Sequence, residues 1–459
     1  MQSVIIDKFN KIIEKIQKLT TPLRNNSIIV KNIEDGIFAL TSLLLVLSTF
    51  SKTETLGLVA IGIIILSILR LILIENERIE LSCADGALLL FFLILIFSTI
   101  NSTVPSYSFE GLIKYVIYIG YYFAVVPMFR KKRRKVLWIM LLIAGLCTLE
   151  AFYALLQSKT VIAGATWQDM SYINPEDAIS RIYGSLKPYN PNLLAGYLVA
   201  GFPTVIGIAM LTIEKRHRKS FFIALCGVLI ALYAIFQTGC RGAYLALFAI
   251  LGAFIAISYR IVFYDFSAFE HLKKIWYNFT LAITSCGFIA LAFMPKILHR
   301  LMSVFLLRGD SSTSFRMNVY QSSWQMFTDN PFFGIGPGNH TFREIYGYYM
   351  ITGFDALGAY SVPLEIAVET GIVGFLCFFS FIGILLIQSI KYICQDQSIR
   401  GKIYVSVCLV SIIGLMAHGM FDTVFFRPQV QFVFWTTTAI LNGVLSRKET
   451  CTNKNITCV

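Results

Sequence analysis

Two pairs of ionisable residues in this sequence stand at helical spacing. Glu365 and Glu369 are four apart at the start of an apolar run, so a helix there puts both carboxylates on one face, as a general base or as an internal helix-end pair. His418 and Asp422 repeat the spacing near the end of another run, and such a carboxylate could orient the imidazole. Arg241 lies in Thr238-Gly-Cys-Arg-Gly-Ala243, a very short turn between two apolar segments, where the glycines leave its guanidinium at the interface. Arg316 and Arg343, with Arg300 and Arg308, lie in one long polar segment; Arg181 and Lys187 lie in another. A planar five-donor fork suits bidentate contact with phosphate, and several forks together could hold a diphosphate. His340 follows Gly334-Ile-Gly-Pro-Gly-Asn339 and is a further candidate base, although a loop histidine is more often simply exposed. That glycine turn is not a dinucleotide fingerprint, since no strand precedes it and the G-x-G-x-x-G spacing is missing. Plainer readings stand beside these: solvated arginines, a Lys114–Glu150 pair, and Glu365 favouring a helix N-terminus behind Pro363.

The elements that must position these groups are membrane spans. Of the 459 residues, 56% are hydrophobic and 14% charged, with 38 Phe and 22 Tyr; mean hydropathy is +0.69. A soluble surface, with its usual charged fraction of about 25%, cannot be made from this composition. Apolar runs of roughly 18 or more residues recur, each long enough to cross the hydrocarbon core as a helix. They are apolar all round, which excludes the alternating strands of a membrane barrel. The expected fold class is an all-α polytopic membrane protein of about twelve spans (ten to twelve), running from 34–50 to 430–446.

The net charge of +13 reads as Lys and Arg retained on the cytoplasmic side rather than as a nucleic-acid surface. With the N-terminus inside, most of the basic residues fall in inner loops, Arg130 to Lys135 above all, which places both termini in the cytoplasm. Residues 1–32 lack the apolar core and cleavage site of a signal peptide. Ile5, Ile6, Phe9, Ile12, Ile13, Ile16 and Leu19 oppose Lys8, Lys11, Lys15 and Lys18, as in an amphipathic helix on the inner leaflet. Residues 33–446 form the transmembrane domain and 447–459 a cytoplasmic tail. Two external segments, 158–191 and 295–361, are too long to be turns, and connections of that length usually carry function. The second is expected to hold helices over Lys296–Leu307 and Ser314–Thr328. The ten cysteines give no disulfide or zinc pattern, and no metal site or cofactor is expected.

Charge is expensive in a bilayer, so buried ionisable groups are functional candidates. Lys114, Glu150, Glu365, Glu369, His418 and Asp422 all fall in the outer half of their spans. Transporters place binding groups near the midplane, often on paired repeats. Headgroup depth on one face instead suits an enzyme acting on a lipid-linked substrate.

Several motifs together resemble the O-antigen ligase and polymerase superfamily (the Wzy C-terminal domain family) over roughly residues 220–390. They are Thr238-Gly-Cys-Arg-Gly-Ala-Tyr, the run Arg316 to Trp324, Asn330-Pro-Phe-Phe-Gly-Ile-Gly-Pro-Gly-Asn and Glu369-Thr-Gly-Ile-Val-Gly. Three stretches are similar to its cyanobacterial-type, IctB-like bicarbonate-transporter branch: Tyr189 to Leu198, Ala359 to Gly371 and Ala417 to Pro428. They bring Asn192, Tyr360 and Arg427 into the candidate site. The superfamily resemblance implies a GT-C-like fold that transfers a glycan from an undecaprenyl-diphosphate carrier to a glycan or lipid acceptor. The reaction runs at the outer face of the bacterial inner membrane without metal or nucleotide, Arg241 and Arg316 corresponding to the arginines that hold the diphosphate. Ligases carry a His-Asn pair before the E-x-G motif with His as base; here that stretch reads Gly358-Ala-Tyr-Ser361. The base then falls to Glu369, Glu365 or His340, and the binding set is Arg241, Arg316, Arg343, Arg181, Asn192 and Tyr360. Lys114, Glu150, His418, Asp422 and Arg427 are the supporting polar groups. The competing functions are bicarbonate transport, alone or as an accessory protein, and a non-catalytic scaffold. Partners are membrane lipids, the lipid-linked glycan and its acceptor; nucleic acid is not among them, and oligomeric state is left open.

Overall fold

The computed structural model describes residues 2–20, 28–75, 77–158, 167–168, 180–214, 217–266, 270–293, 311–351, 353–395 and 397–447. They form fifteen α-helices and one very small sheet. The helices are α1 Gln2–Leu19, α2 Ile28–Leu47, α3 Thr53–Leu73, α4 Cys83–Ile100, α5 Pro105–Lys131, α6 Arg133–Ser158, α7 Pro191–Glu214 and α8 Arg218–Gln237. They continue with α9 Arg241–Arg260, α10 Glu270–Phe293, α11 Ser311–Asp329, α12 Asn339–Tyr349, α13 Val362–Cys394, α14 Ile399–Gly419 and α15 Pro428–Leu445. Among the described residues nine helices, α3 to α9 with α13 and α14, are long and apolar enough to cross a membrane. The chain is therefore that of a multi-pass membrane protein, as its composition requires. The other three expected spans are also helical, as α2, α10 and α15.

The expectation of purely helical structure fails at one small place. β1 (Trp167–Gln168) and β2 (Ser180–Arg181) pair antiparallel within the long segment between α6 and α7, Trp167 opposite Arg181. Two residues per strand leave no room for the period-2 pattern by which strands are recognised. The expected Lys296–Leu307 helix, with Arg300 and Arg308, lies outside the described residues.

Burial is steepest at α7, α14 and α15. Nearly every residue of α15 from Gln429 to Val444 is buried, and α7 and α14 are enclosed almost as fully. α15 packs along α5 and α14, and α14 lies between α7 and α9. A helix enclosed on all sides can carry polar residues only if they are satisfied within the protein. Thr436, Thr437 and Thr438 each donate to the carbonyl four residues back, and Thr436 also shares a 2.7 Å bond with the Tyr121 hydroxyl. Around this centre α3, α8 and α9 turn Leu58, Ile65, Phe222, Ile223 and Phe248 outward, apolar faces that suit lipid.

α1 lies across the end of the bundle. Gln17 donates to the carbonyls of Leu71 and Glu77, and Arg78 pairs with Glu14. Phe9, Ile12, Ile16 and Leu19 stay exposed.

Candidate active site

At one end of the bundle, where α9, α13 and α15 begin and α8 and α14 end, polar side chains from distant parts of the chain meet. Asp422, just past α14, is buried and stands at their centre. One of its oxygens accepts from Arg316 of α11 (3.2 Å) and from the Asn192 amide in the first turn of α7 (2.8 Å). The other accepts the Val424 backbone N–H at 3.1 Å. Arg316 also donates to the Phe421 carbonyl (2.6 Å), and its guanidinium lies 5.4 Å from the centre of the Tyr360 ring. Tyr320, one turn further along α11, donates to the Tyr360 carbonyl at 3.2 Å.

Arg181 of β2 joins this group from the other side. It donates to the Asn192 side-chain oxygen and, through Nε, to the Thr238 carbonyl at 2.6 Å. The strand pair thus carries an arginine onto the turn between α8 and α9. That turn needs Gly239, whose φ of 62° is in the left-handed region; a Cβ there would come within 3.3 Å of the Arg181 side chain. Arg241, the first residue of α9, donates to Thr313 of α11 at 2.6 Å, one turn before Arg316. Arg181, Arg241 and Arg316, from three elements, converge on one small region with a single carboxylate at its centre.

Burial alone would lower the Arg316 guanidinium, but the Asp422 carboxylate raises it above its ordinary value, so it stays charged. Burial pushes the Tyr320 and Tyr360 hydroxyls up, so both remain protonated donors. Cys240 has its Sγ 3.5 Å from His418 Nε2. Burial would raise that thiol, yet the imidazole beside it brings it below its usual value.

The two glutamates differ in use. Both oxygens of Glu369 are engaged, one by the Gly338 N–H at 2.7 Å and the other by the Tyr115 hydroxyl at 3.0 Å. Glu365 accepts from the Ala359 N–H at 3.1 Å through Oε2, while its Oε1 is buried with no hydrogen-bond partner among the described residues. Its electrostatic neighbours are Glu369, Arg427 and Asp422, the last being the carboxylate at the centre of the cluster. Arg427 is exposed at the start of α15, and its charge acts on both Glu365 and Tyr360.

Beneath these residues the glycine turn is stitched to a break in α13. Gly371 has φ 66° and ψ −174°, and the helix restarts after it. Ile335 and Gly336 donate to the carbonyls of Val368 and Glu369, and Ile372 donates to that of Pro331. Ser98 of α4 donates to the Glu369 carbonyl and Ser102 to that of Ile335. Gly111 of α5 lets the backbone at Pro337 approach closely. The break leaves the first turns of α13, with both glutamates, as a separate short helix aimed at the cluster.

The structure therefore gathers Arg181, Asn192, Arg241, Arg316, Tyr360, Glu365, His418, Asp422 and Arg427. It does not bring in four of the other expected residues. His340 is exposed and stacks on Tyr107 at 5.9 Å, and Arg343 pairs at the surface with Asp355. Lys114 is exposed, within electrostatic reach of Glu369. Glu150 accepts from the Ser185 N–H and hydroxyl, so it ties down the chain ahead of α7 rather than pairing with Lys114. Sequence reasoning missed Cys240, Thr313 and Tyr115. Cys240 was visible as the neighbour of Arg241, and Tyr115 as the residue four past Gly111.

The family model described as O-antigen ligase matches residues 226–379. The matched stretch runs from the first half of α8 into the middle of α13. It contains Arg241, Arg316, the glycine turn, Glu365 and Glu369, and lies inside the 220–390 over which the resemblance was drawn. Arg181, Asn192, His418, Asp422 and Arg427 fall outside it. The match gives the bicarbonate-transporter branch no support. No curated protein matches the chain. Over this third of its length the chain is similar to the O-antigen ligases.

Proposed function

We propose that this protein is a glycan ligase or polymerase-type transferase with a GT-C-like fold of twelve spans. It takes an undecaprenyl-diphosphate-linked glycan at the outer face of a bacterial inner membrane, with both termini cytoplasmic. Residues 1–32 rest on the inner leaflet, 33–446 form the membrane domain and 447–459 a cytoplasmic tail. The observation that carries the reading is the convergence of Arg181, Arg241 and Arg316 beside a buried carboxylate, Glu365, with one unpartnered oxygen.

An acceptor hydroxyl attacks C1 of the donor sugar from the face opposite the diphosphate. The new C1–O bond forms as the C1–O–phosphate bond breaks, with inversion, and the electron pair leaves on the diphosphate oxygen. Fixed guanidiniums facing that oxygen stabilise the charge as it develops. Glu365 takes the acceptor proton. It is held by the Ala359 N–H, within the very stretch where ligases carry their histidine. Arg427 is a charged neighbour of the same carboxylate. Glu369, with both oxygens engaged, keeps the glycine turn and the short helix in place.

The test is purified protein in liposomes with a lipid-linked oligosaccharide donor and an acceptor glycan. Glu365→Gln is expected to slow donor consumption by about 10²–10⁴, the usual contribution of a general base, with donor binding retained. Unchanged turnover in that variant removes Glu365 from the chemistry. Accumulation of labelled bicarbonate by the protein, with no donor consumed, overturns the transferase reading in favour of transport.

A further inference from the structure

The chain between β2 and α7 is pinned at several points, and it carries a strained aromatic residue. Gly184 and the Gln157 side chain exchange two hydrogen bonds of 3.0 Å, and Glu150 holds Ser185. Gln429, in the first turn of α15, donates to the Lys187 carbonyl at 2.9 Å. Tyr189 then takes φ 59°, in the left-handed region, where a bulky side chain is an outlier; such conformations cluster at functional sites. Its N–H donates to the Leu186 carbonyl at 2.7 Å. The ring packs on Tyr183 with centroids 5.7 Å apart, yet 46% of the residue stays exposed. A large ring fixed in place and left open offers an apolar surface for the C–H face of a sugar and a hydroxyl for its oxygens.

Two cations stand beside this ring. Lys187 is at the Gln429 bond itself, and Arg427 is two residues from that bond along the other segment, at most about 7 Å of backbone. Both are exposed, and neither side chain makes a hydrogen bond or ion pair among the described residues. Neither 182–192 nor 423–432 contains an Asp or Glu. Arg427 has the buried Glu365 as an electrostatic neighbour, but that carboxylate accepts from the Ala359 N–H and makes no ion pair with it. An exposed aromatic platform flanked by two uncommitted cations is suited to a ligand that is both a sugar and an anion.

We propose that Tyr189, Lys187 and Arg427 form a subsite for a glycan bearing a carboxylate, as in a uronic acid. The sugar ring stacks on Tyr189, its carboxylate meets the Arg427 fork bidentately, and Lys187 adds a second positive charge. Assigning this glycan to the acceptor rests on the transferase reading. Arg427 neighbours Glu365, which takes the acceptor proton, whereas the donor diphosphate belongs to Arg181, Arg241 and Arg316.

Full-length protein in detergent is titrated calorimetrically with two probes: an oligosaccharide of alternating glucose and glucuronic acid, and the same chain with its carboxyls reduced to neutral glucose. The acidic probe is expected to bind at least about tenfold more tightly. Arg427→Gln is expected to cut that preference about tenfold and Lys187→Gln about threefold. Tyr189→Ala is expected to weaken both probes about fivefold, and Tyr189→Phe, which keeps the ring, less than twofold. If Arg427→Gln does not yield folded protein, the Lys187→Gln and Tyr189→Phe variants carry the test. Donor consumption with each probe as acceptor is followed on the same samples. Preferential binding of the acidic probe without donor consumption keeps the subsite and removes the transferase reading. Donor consumption with equal binding of the two probes overturns the subsite and leaves that reading standing. Arg427→Gln weakening both probes alike reduces the residue to a charge beside Glu365 and also overturns the proposal.

Discussion

Arg316 is a guanidinium whose several nitrogens are used in different directions. One nitrogen donates to the Phe421 carbonyl, another to Asp422, and the guanidinium carbon lies 5.4 Å from the centre of the Tyr360 ring. A lysine ammonium is a point donor without a plane and cannot reproduce that set. Arg316→Lys is expected to lose roughly ten- to hundredfold in kcat/KM for donor consumption, nearly as much as Arg316→Ala, since one hydrogen bond to a charged group contributes about 1.5–3 kcal/mol. Initial rates across donor concentration, with unfolding temperatures alongside, provide the measurement. Near-full activity in the lysine variant beside an inactive alanine variant would reduce Arg316 to a point charge. The residue types of this cluster were legible in the sequence, because arginine and aspartate near apolar runs are unusual and costly. Their pairing was not. Asp422 lies 106 residues from Arg316 and 230 from Asn192, and no local periodicity links positions so far apart. The same limit explains Glu369, whose spacing from Glu365 suggested chemistry while its partners Tyr115 and Gly338 lie on other elements.

At the scale of elements, the site depends on a helix that stops and restarts. Gly371 occupies a backbone region essentially confined to glycine, and a Cβ there would run into the backbone of Phe332 and Phe333. Gly371→Ala is expected to cost on the order of 1–3 kcal/mol from the backbone conformation alone, more if the Pro331–Gly338 turn is displaced. Gly383 lies in the same helix with nothing within 4 Å of its would-be Cβ, so Gly383→Ala is the control and should be neutral or mildly stabilising. Thermal unfolding in detergent compares the two; equal behaviour would mean that the break is not imposed by the turn. The sequence announced the glycine turn and the glycine after Glu369 as separate punctuation. That they form one structure, sealed by Ile335–Val368 and Gly336–Glu369 backbone bonds, follows only from tertiary pairing. α15 carried a weaker signal than its neighbours for a related reason. Gln429, Gln431, its three threonines and Asn442 lower its hydropathy because it faces protein on every side, where such groups find partners.

For the molecule as a whole, the two ends are chemically unlike, and that difference predicts how it sits in a membrane. The end opposite the candidate site collects Arg130 to Lys135, Arg260, Lys391, Arg400, Lys402 and Arg447. Cross-connections show these to be one face: Arg447 on the end of α5, Arg260 on the Cys394 carbonyl and Lys402 on Asp265. Lys and Arg in short loops are held on the cytoplasmic side, whereas acidic residues contribute little to the bias, so this face is expected to look inward. Of the candidate-site arginines, Arg181 and Arg316 belong to the two long segments between spans, and Arg241 alone sits in a short turn beside span ends, where a single arginine weighs little against the basic face opposite. Reporter fusions after residues 133 and 217 are therefore expected to be active in the cytoplasm, and a fusion at residue 330 only outside it. The loop positions test the charge argument; residue 330, next to the glycine turn, tests the site. If 330 reports cytoplasm while 133 reports the exterior, the chain is inverted. Arg181, Arg241 and Arg316 would then face the inner leaflet, and a carrier presented at the outer face could not reach them.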